Sequence, residues 1–181
     1  SVSGGTEKAQ TYLSYTNNYV EGIVPRNDMM RHTITARLTN QISKRFSTDA
    51  KITYLIQDIK DKPRIGEENS PVMDLYEMPR NLSLDVAKNF QIINNVGIAG
   101  PTAWASNNGG IYQNPYWMIN NTDLNETRNR VMGFVSAKFQ ILPWLNVTGR
   151  ANLDRTFDGL EQQYQQGTLL WAANSGGFYS K

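Results

Sequence analysis

Apolar and polar positions alternate along five segments of the chain, each about ten residues long. The segments are residues 8–16, 31–42, 46–57, 130–140 and 144–154. In each segment, small or apolar side chains take every second position, and hydroxyl, amide or charged side chains take the others. A period of two residues is typical of β-strands whose two faces meet different surroundings. The pattern therefore predicts an all-β fold with about five long antiparallel strands.

The segments are joined by very short turns in some places and by long loops in others. Short turns are predicted at 43–45 and 141–143, each followed directly by an aromatic residue, Phe46 and Trp144. Much longer stretches, 17–30, 60–129 and 156–181, separate or follow the other strands. Bacterial outer-membrane barrels have this asymmetry, and their tilted strands cross the bilayer with about ten residues. We therefore expect a segment of an antiparallel transmembrane β-barrel, with its long loops on the extracellular side.

The two faces of the predicted strands differ in polarity. One face is uncharged, and in a barrel it would put the following residues against lipid: Ile34, Leu38, Ile52, Val135 and Val147. The other face would line the lumen with Arg37, Lys51, Arg150 and Asp154. A soluble β-sandwich shows the same alternation, with the apolar face pointing inward. Strand length favours the barrel, because sandwich strands more often have about five or six residues.

The long loop at 60–129 has structural signals of its own. Ser70 followed by Pro71 is typical of a helix N-cap with proline at the first helical position, and it predicts a short helix at 72–78. Ser83 can cap a second short piece at 84–90. The loop is therefore expected to contain one or two short helices.

Composition excludes several classes of function. Lys and Arg total 18 against 16 acidic residues, so a strongly basic nucleic-acid-binding protein is not indicated. The chain has no cysteine, which excludes disulfides and thiolate metal sites. No run of apolar residues is long enough for a transmembrane helix. We expect no metal and no cofactor.

Catalysis has little support in the sequence. The single histidine, His32, has no accompanying nucleophile motif, so a loop or interface role is the better interpretation. The carboxylates Asp74, Glu77 and Asp85 are spaced as on a helix surface and are expected to be solvated. We therefore do not expect an enzyme.

Aromatic and amide side chains are concentrated in the long loop and the C-terminal tail. Aromatic rings offer flat faces for stacking, and Asn and Gln offer both donors and acceptors. The candidate ligand-binding residues are Trp104, Tyr112, Tyr116, Trp117 and Trp171. The alternative interpretation is that these rings pack the loops against each other.

Several sequence blocks resemble one family. Ser3-Gly-Gly-Thr-Glu-Lys8, Thr11-Tyr-Leu-Ser-Tyr15 and Glu21-Gly-Ile-Val24 resemble the opening barrel strands of SusC/RagA-type TonB-dependent transporters of Bacteroidetes. Asn114-Pro-Tyr-Trp117 and Trp144-Leu-Asn-Val-Thr-Gly-Arg150 resemble later landmarks of the same family.

The resemblance implies an outer-membrane transporter that imports glycan oligosaccharides or peptides. Such a transporter has a barrel of about 22 strands, an N-terminal plug, a TonB box and a SusD-like surface lipoprotein as partner. Residues 1–181 would be part of the barrel domain, without the plug, TonB box and signal peptide. TonB would be engaged through that missing N-terminal part. The alternative from a different class is a soluble β-rich carbohydrate-binding module or an accessory domain of a glycan-degrading enzyme.

Overall fold

The computed structural model describes residues 1–66, 70–104, 112–169 and 177–181. It contains a seven-stranded sheet in the order β1-β2-β3-β4-β7-β8-β9 and a separate pair, β5-β6. The strands are β1 Val2–Gly5, β2 Ala9–Glu21, β3 Asp28–Ser43, β4 Phe46–Lys60, β5 Gln91–Ile93, β6 Ala99–Pro101, β7 Thr122–Leu142, β8 Leu145–Tyr164 and β9 Phe178–Ser180. The prediction of an all-β fold is confirmed. The described sheet is open, with β1 and β9 at its edges.

The five predicted strands are present, and they are longer than expected. β2, β3, β4, β7 and β8 have 13, 16, 15, 21 and 20 residues. The largest differences are at β8, which ends at Tyr164 rather than at 154 and so takes up the start of the predicted loop 156–181, and at β7, which begins at Thr122 rather than at 130. Residues 122–129 are almost entirely polar, so a pattern based on apolar alternation could not detect them. The long insert is consequently 61–121 rather than 60–129.

The short turns lie one or two residues from their predicted positions. Lys44 and Arg45 connect β3 to β4, and Pro143 and Trp144 connect β7 to β8. Phe46 therefore begins β4, whereas Trp144 lies in the turn before β8. The prediction that both aromatic residues directly follow a turn was wrong by one position for Trp144. Gly133 on β7 allows a close approach to β4, because a Cβ at this position would collide with the carbonyl oxygen of Lys51.

The predicted helices in the insert are present. Helix α1 spans Pro71–Tyr76, and the Ser70 hydroxyl accepts a hydrogen bond from the Met73 amide at 3.4 Å. A 3-10 helix spans Leu84–Lys88, capped by Ser83. The sequence interpretation missed a further helix, α2, at Pro115–Asn121. Its N-cap is Asn114, whose side-chain oxygen accepts from the Tyr116 amide at 2.9 Å.

The chain divides into two compact units. Unit 1 comprises Ser1–Tyr19, Met30–Asp58 and Thr127–Asp158, all of which are described. It consists of strands and tight turns, and Gln57 is its only buried residue. Unit 1 is therefore a single layer of sheet without a hydrophobic core of its own.

Unit 2 comprises Val20–Met29, Ile59–Glu126 and Gly159–Lys181. The buried apolar residues in its described part are Ala87, Trp104, Trp117, Met118 and Tyr164. Buried polar groups complete this core through specific bonds. The Asn114 amide donates to the Ala87 carbonyl at 3.0 Å, and the Gln113 amide exchanges bonds of 2.9 and 3.1 Å with the backbone of Leu169. Unit 2 thus has the packed interior that unit 1 lacks.

Candidate functional site

Two of the candidate ligand-binding rings lie in the core of unit 2. Trp117 is 0% exposed and donates through Nε1 to the Thr168 hydroxyl at 3.1 Å. Trp104 is 8% exposed and donates to the Asp74 carbonyl at 2.8 Å. A ring with no accessible face cannot stack on a ligand, so the packing interpretation is favoured for both. Trp117 lies on α2, the element that the sequence interpretation missed.

The remaining candidates differ in position. Tyr112 and Tyr116 flank the buried pair Gln113 and Asn114 and are themselves half-buried. Trp171 lies outside the described residues. The structure therefore brings the described candidates together around one core, with only Tyr112 and Tyr116 partly open to solvent.

Asp74 is buried, which corrects the expectation that it is solvated. Its side chain is 0% exposed, whereas Glu77 and Asp85 are exposed as expected. Oδ1 accepts from the Gln113 amide at 3.2 Å, and Oδ2 has no hydrogen-bond partner among the described residues. Burial raises the pKa of Asp74 to about 7, opposed only by the Gln113 bond. The prediction of a solvated Asp74 was wrong because α2 packs against α1 and buries the side of α1 that carries Asp74.

A cluster around Arg26 links three segments of unit 2. Arg26 donates to the Ile119 carbonyl at 2.7 Å and to Asp123 at 3.1 Å, and its Nε lies 3.2 Å from Asp61. Both Arg26 and Asp61 have positive φ angles, 71° and 45°. Burial raises the pKa of Asp61 to about 6, partly offset by Arg26 and reinforced by the carboxylate of Asp123. The sequence interpretation missed this cluster because its members are far apart in the chain.

Unit 2 also has an open groove lined by amides. Its volume is about 650 Å³, and the lining residues that carry its chemistry are Asn120, Asn121, Gln163, Gln165, Gln166 and Tyr179. The Tyr179 hydroxyl donates to Glu161 at 3.2 Å. The groove offers hydrogen-bond donors and acceptors to a ligand, whereas the buried rings Trp104 and Trp117 do not offer a stacking surface.

The predicted lumen residues lie on one face of unit 1. Arg37 on β3 forms a bidentate ion pair with Asp49 on β4, with N···O distances of 3.0 and 2.9 Å. Arg150 on β8 stacks over the Phe134 ring on β7, with Cζ 4.1 Å from the centroid. Asp154 pairs with Arg130 on the same strands. Thr35 and Thr53 bond at 3.1 Å between β3 and β4, as expected for side chains on one face. We call this surface the polar face.

The opposite surface of unit 1, which we call the apolar face, is uncovered. The residues predicted to face lipid are 44–61% exposed: Ile34, Leu38, Ile52, Val135 and Val147. Phe46 and Phe139 pack on this face near the turns, with ring centroids 6.4 Å apart. Towards the other end of the strands, the Tyr15 hydroxyl lies 2.8 Å from His32 Nδ1. His32 is therefore a strand residue with a tyrosine partner rather than a loop residue.

Among the described residues, no group of three or more His, Asp or Glu side chains is arranged to hold a metal. In the same part of the chain, no helix is long and apolar enough to span a membrane. Comparison with models of known protein families found no match, and comparison with curated proteins found no matching relative.

Proposed function

We propose that the chain forms part of the wall of an outer-membrane β-barrel belonging to a SusC/RagA-type TonB-dependent transporter. The parent transporter imports oligosaccharides or peptides with a SusD-like lipoprotein partner. The observation that carries the proposal is the uncovered apolar face of unit 1. Large aliphatic side chains on every strand of this face lie in the open, and unit 1 has no second layer to cover them. A surface of this kind is unfavourable in water and favourable in hydrocarbon.

The height of the apolar face supports a membrane rather than a second sheet. On β8 the apolar face runs from Leu145 to Leu153, and the next residue on the same face, Arg155, is charged. About ten strand residues tilted by roughly 40° span about 25 Å, the height of the apolar band of such barrels. Both ends of the band carry polar-tipped or aromatic side chains: Phe46, Phe139 and Trp144 near the turns, and Tyr15, Tyr54 and Phe157 towards the loops. Aromatic girdles of this kind mark the two membrane interfaces.

The resemblance in the sequence blocks supports the transporter family. Without it, the two faces would support a barrel of any function. The alternative, a soluble carbohydrate-binding module, requires a partner layer for the apolar face, and the described part of unit 1 supplies none.

The decisive experiment places spin labels on both faces of the full-length transporter in bilayers. We expect labels at Val135 and Val147 to be accessible to oxygen in the lipid. Labels at Ser136 and Thr148, the next residues along each strand, should be accessible to a water-soluble relaxant. Water accessibility at Val135 and Val147 would reject the membrane assignment.

Charge placed on the apolar face should oppose membrane insertion. Val135 lies midway along the apolar part of β7, so Val135→Arg should cost about 2–4 kcal/mol of folding free energy in bilayers. The matched control is Ser136→Arg, which puts the same charge on the polar face and should cost much less. Urea titrations in lipid vesicles measure both values, and equal costs for the two variants would contradict the assignment.

Trp144 tests the interface at the turns. Its side chain is 77% exposed in the β7–β8 turn. We expect its fluorescence to be quenched more strongly by a nitroxide at the lipid head group than by one near the end of the acyl chain. A Trp144→Phe variant serves as the control that isolates its emission. Stronger quenching from the bilayer centre would place the turn inside the membrane and contradict the proposal.

A further inference from the structure

The polar face of unit 1 carries far more positive charge than the chain as a whole. The chain has a net charge of +2. On the polar face, seven basic residues oppose three carboxylates, which gives a net charge of +4; they are Arg31, Arg37, Lys51, Arg128, Arg130, Lys138 and Arg150 against Asp49, Asp154 and Asp158. Cross-strand contacts join four of the basic residues to a partner on a neighbouring strand, and Lys51, Lys138 and Arg150 occupy positions of the same two-residue alternation.

Most of these cations are already matched. Arg37, Arg128 and Arg130 each hold a carboxylate on the neighbouring strand, and Arg31 donates to the Gln57 side chain. Lys51, Lys138 and Arg150 differ, because within the described residues none of the three lies within ion-pair distance of a carboxylate. Asp49 is the only carboxylate that β4 contributes to the polar face, and both of its oxygens accept hydrogen bonds from Arg37.

Two of these three cations, Lys51 and Arg150, lie beside the same phenylalanine. Arg150 stacks on the Phe134 ring, which holds the guanidinium flat and leaves its N–H edges free to donate. Gly133, the residue before Phe134, lies against the backbone of Lys51 and Ile52, so Lys51 is the neighbour of Phe134 across the strand pair. The ring thus lies between two cations that form no ion pair among the described residues; Asp49, the carboxylate close enough for Arg150 to act on it electrostatically, is already bound by Arg37.

The surroundings of Lys51 are suited to a polyhydroxylated ligand. Lys51 and Arg37 line a groove of about 1130 Å³, together with one carboxylate, Glu7, which precedes β2. The hydroxyl and amide side chains that line it come from β2 and β3: Gln10, Tyr12, Ser14, Thr35 and Thr39. These groups can donate to and accept from sugar hydroxyls. Carboxylates on the ligand would supply the ion-pair partners that Lys51 and Arg150 lack.

We propose that the polar face binds an acidic oligosaccharide, with Lys51 and Arg150 contacting its carboxylates. This deepens the proposed function and rests on it, because the polar face must line a water-filled lumen. Charge-assisted hydrogen bonds give the site its preference for acidic over neutral sugars. Guanidinium and ammonium groups in a recessed lumen are screened less by salt than the same groups on an open surface.

The test uses the full-length transporter in detergent and two probes that differ only in charge, an oligogalacturonate and its methyl ester. Calorimetry should show tighter binding of the acid than of the ester. Removing both charges, in Lys51→Gln/Arg150→Gln, should weaken binding of the acid by about tenfold and leave the ester unaffected. The charge-conserving Lys51→Arg/Arg150→Lys variant should retain most of the preference.

The matched control removes two positive charges elsewhere in unit 1, from the β3–β4 turn and from the apolar face, in Arg45→Gln/Arg155→Gln. It should keep the preference for the acid. Equal binding of the two probes, absence of binding by both, or equal losses in the control and the test variant would each overturn the proposal. Spin-label accessibility of Val135 in the same preparations separates the two claims. A label that contacts detergent, in a protein that shows no preference for the acid, rejects only the proposed ligand, whereas a water-exposed label rejects the barrel.

Discussion

Trp117→Ala is expected to unfold much of the insert between β4 and β7. Trp117 is fully buried, and its indole N–H is bonded to Thr168, so the variant loses both the packing of a large ring and a buried hydrogen bond. Comparable substitutions of buried aromatic residues cost about 3–5 kcal/mol. Hydrogen exchange in the intact protein should show lost protection at α2 and α1, with the strand amides of unit 1 unchanged.

A matched control comes from an exposed ring in the same unit. Tyr76, at the end of α1, is 81% exposed, and Tyr76→Ala should change stability by less than about 0.5 kcal/mol. If Trp117→Ala left the amides protected but abolished substrate binding, the ring would be a ligand group rather than a packing group.

Asp74→Asn should change how the stability of the insert depends on pH. The pKa of Asp74 is raised from 3.8 to about 7 in the folded chain, so folding favours the protonated carboxyl. Its contribution is fully present below about pH 4 and is lost as the pH rises through 7. A shift of about three units corresponds to roughly 4 kcal/mol as an upper limit, most of which is lost between pH 4 and pH 7. We therefore expect the insert to be least stable in alkaline solution.

The asparagine variant keeps the shape and the acceptor for the Gln113 amide but does not ionise. It should be more stable than the wild type at pH 9, and the difference should become small only at about pH 4, where Asp74 is protonated in both the folded and the unfolded chain. Hydrogen exchange of α1 amides at several pH values measures the trend after correction for intrinsic exchange. Asp61→Asn is the necessary companion, because the pKa of Asp61 is also raised, to about 6. A flat wild-type profile between pH 4 and pH 7 would contradict this account of Asp74.

The strands of unit 1 were predictable because their side chains meet two different environments. Ile34, Thr35, Ala36 and Arg37 alternate strictly, and the structure places Arg37 opposite Asp49 and leaves Ile34 exposed. Caps were predictable for a similar reason, since Ser70 and Ser83 satisfy backbone amides within three residues of themselves. Both kinds of information are local.

The core of unit 2 was not predictable from such patterns. Trp104 bonds to Asp74 and Trp117 bonds to Thr168 across separations of 30 and 51 residues. An indole in a loop has the same appearance in the sequence whether it faces a ligand or fills a core. The start of β7 was missed for a related reason, because polar side chains such as those of Asn125 and Glu126 alternate without any apolar marker. The segments that resist prediction are those whose partners are distant in the chain.

The insert also has a consequence for the order of folding. Hairpins β3–β4 and β7–β8 close across two-residue turns and can form early, whereas pairing of β4 with β7 must wait for 61 intervening residues. Holding the ends of such a segment together costs about 4 kcal/mol of chain entropy. The Lys62 amide donates to the Leu124 carbonyl at 2.8 Å, and the Lys62 ammonium contacts Glu126, so the first residues of the insert are bonded directly to the start of β7. A prefolded insert would remove most of that entropic barrier and would select the register in which the two hairpins join.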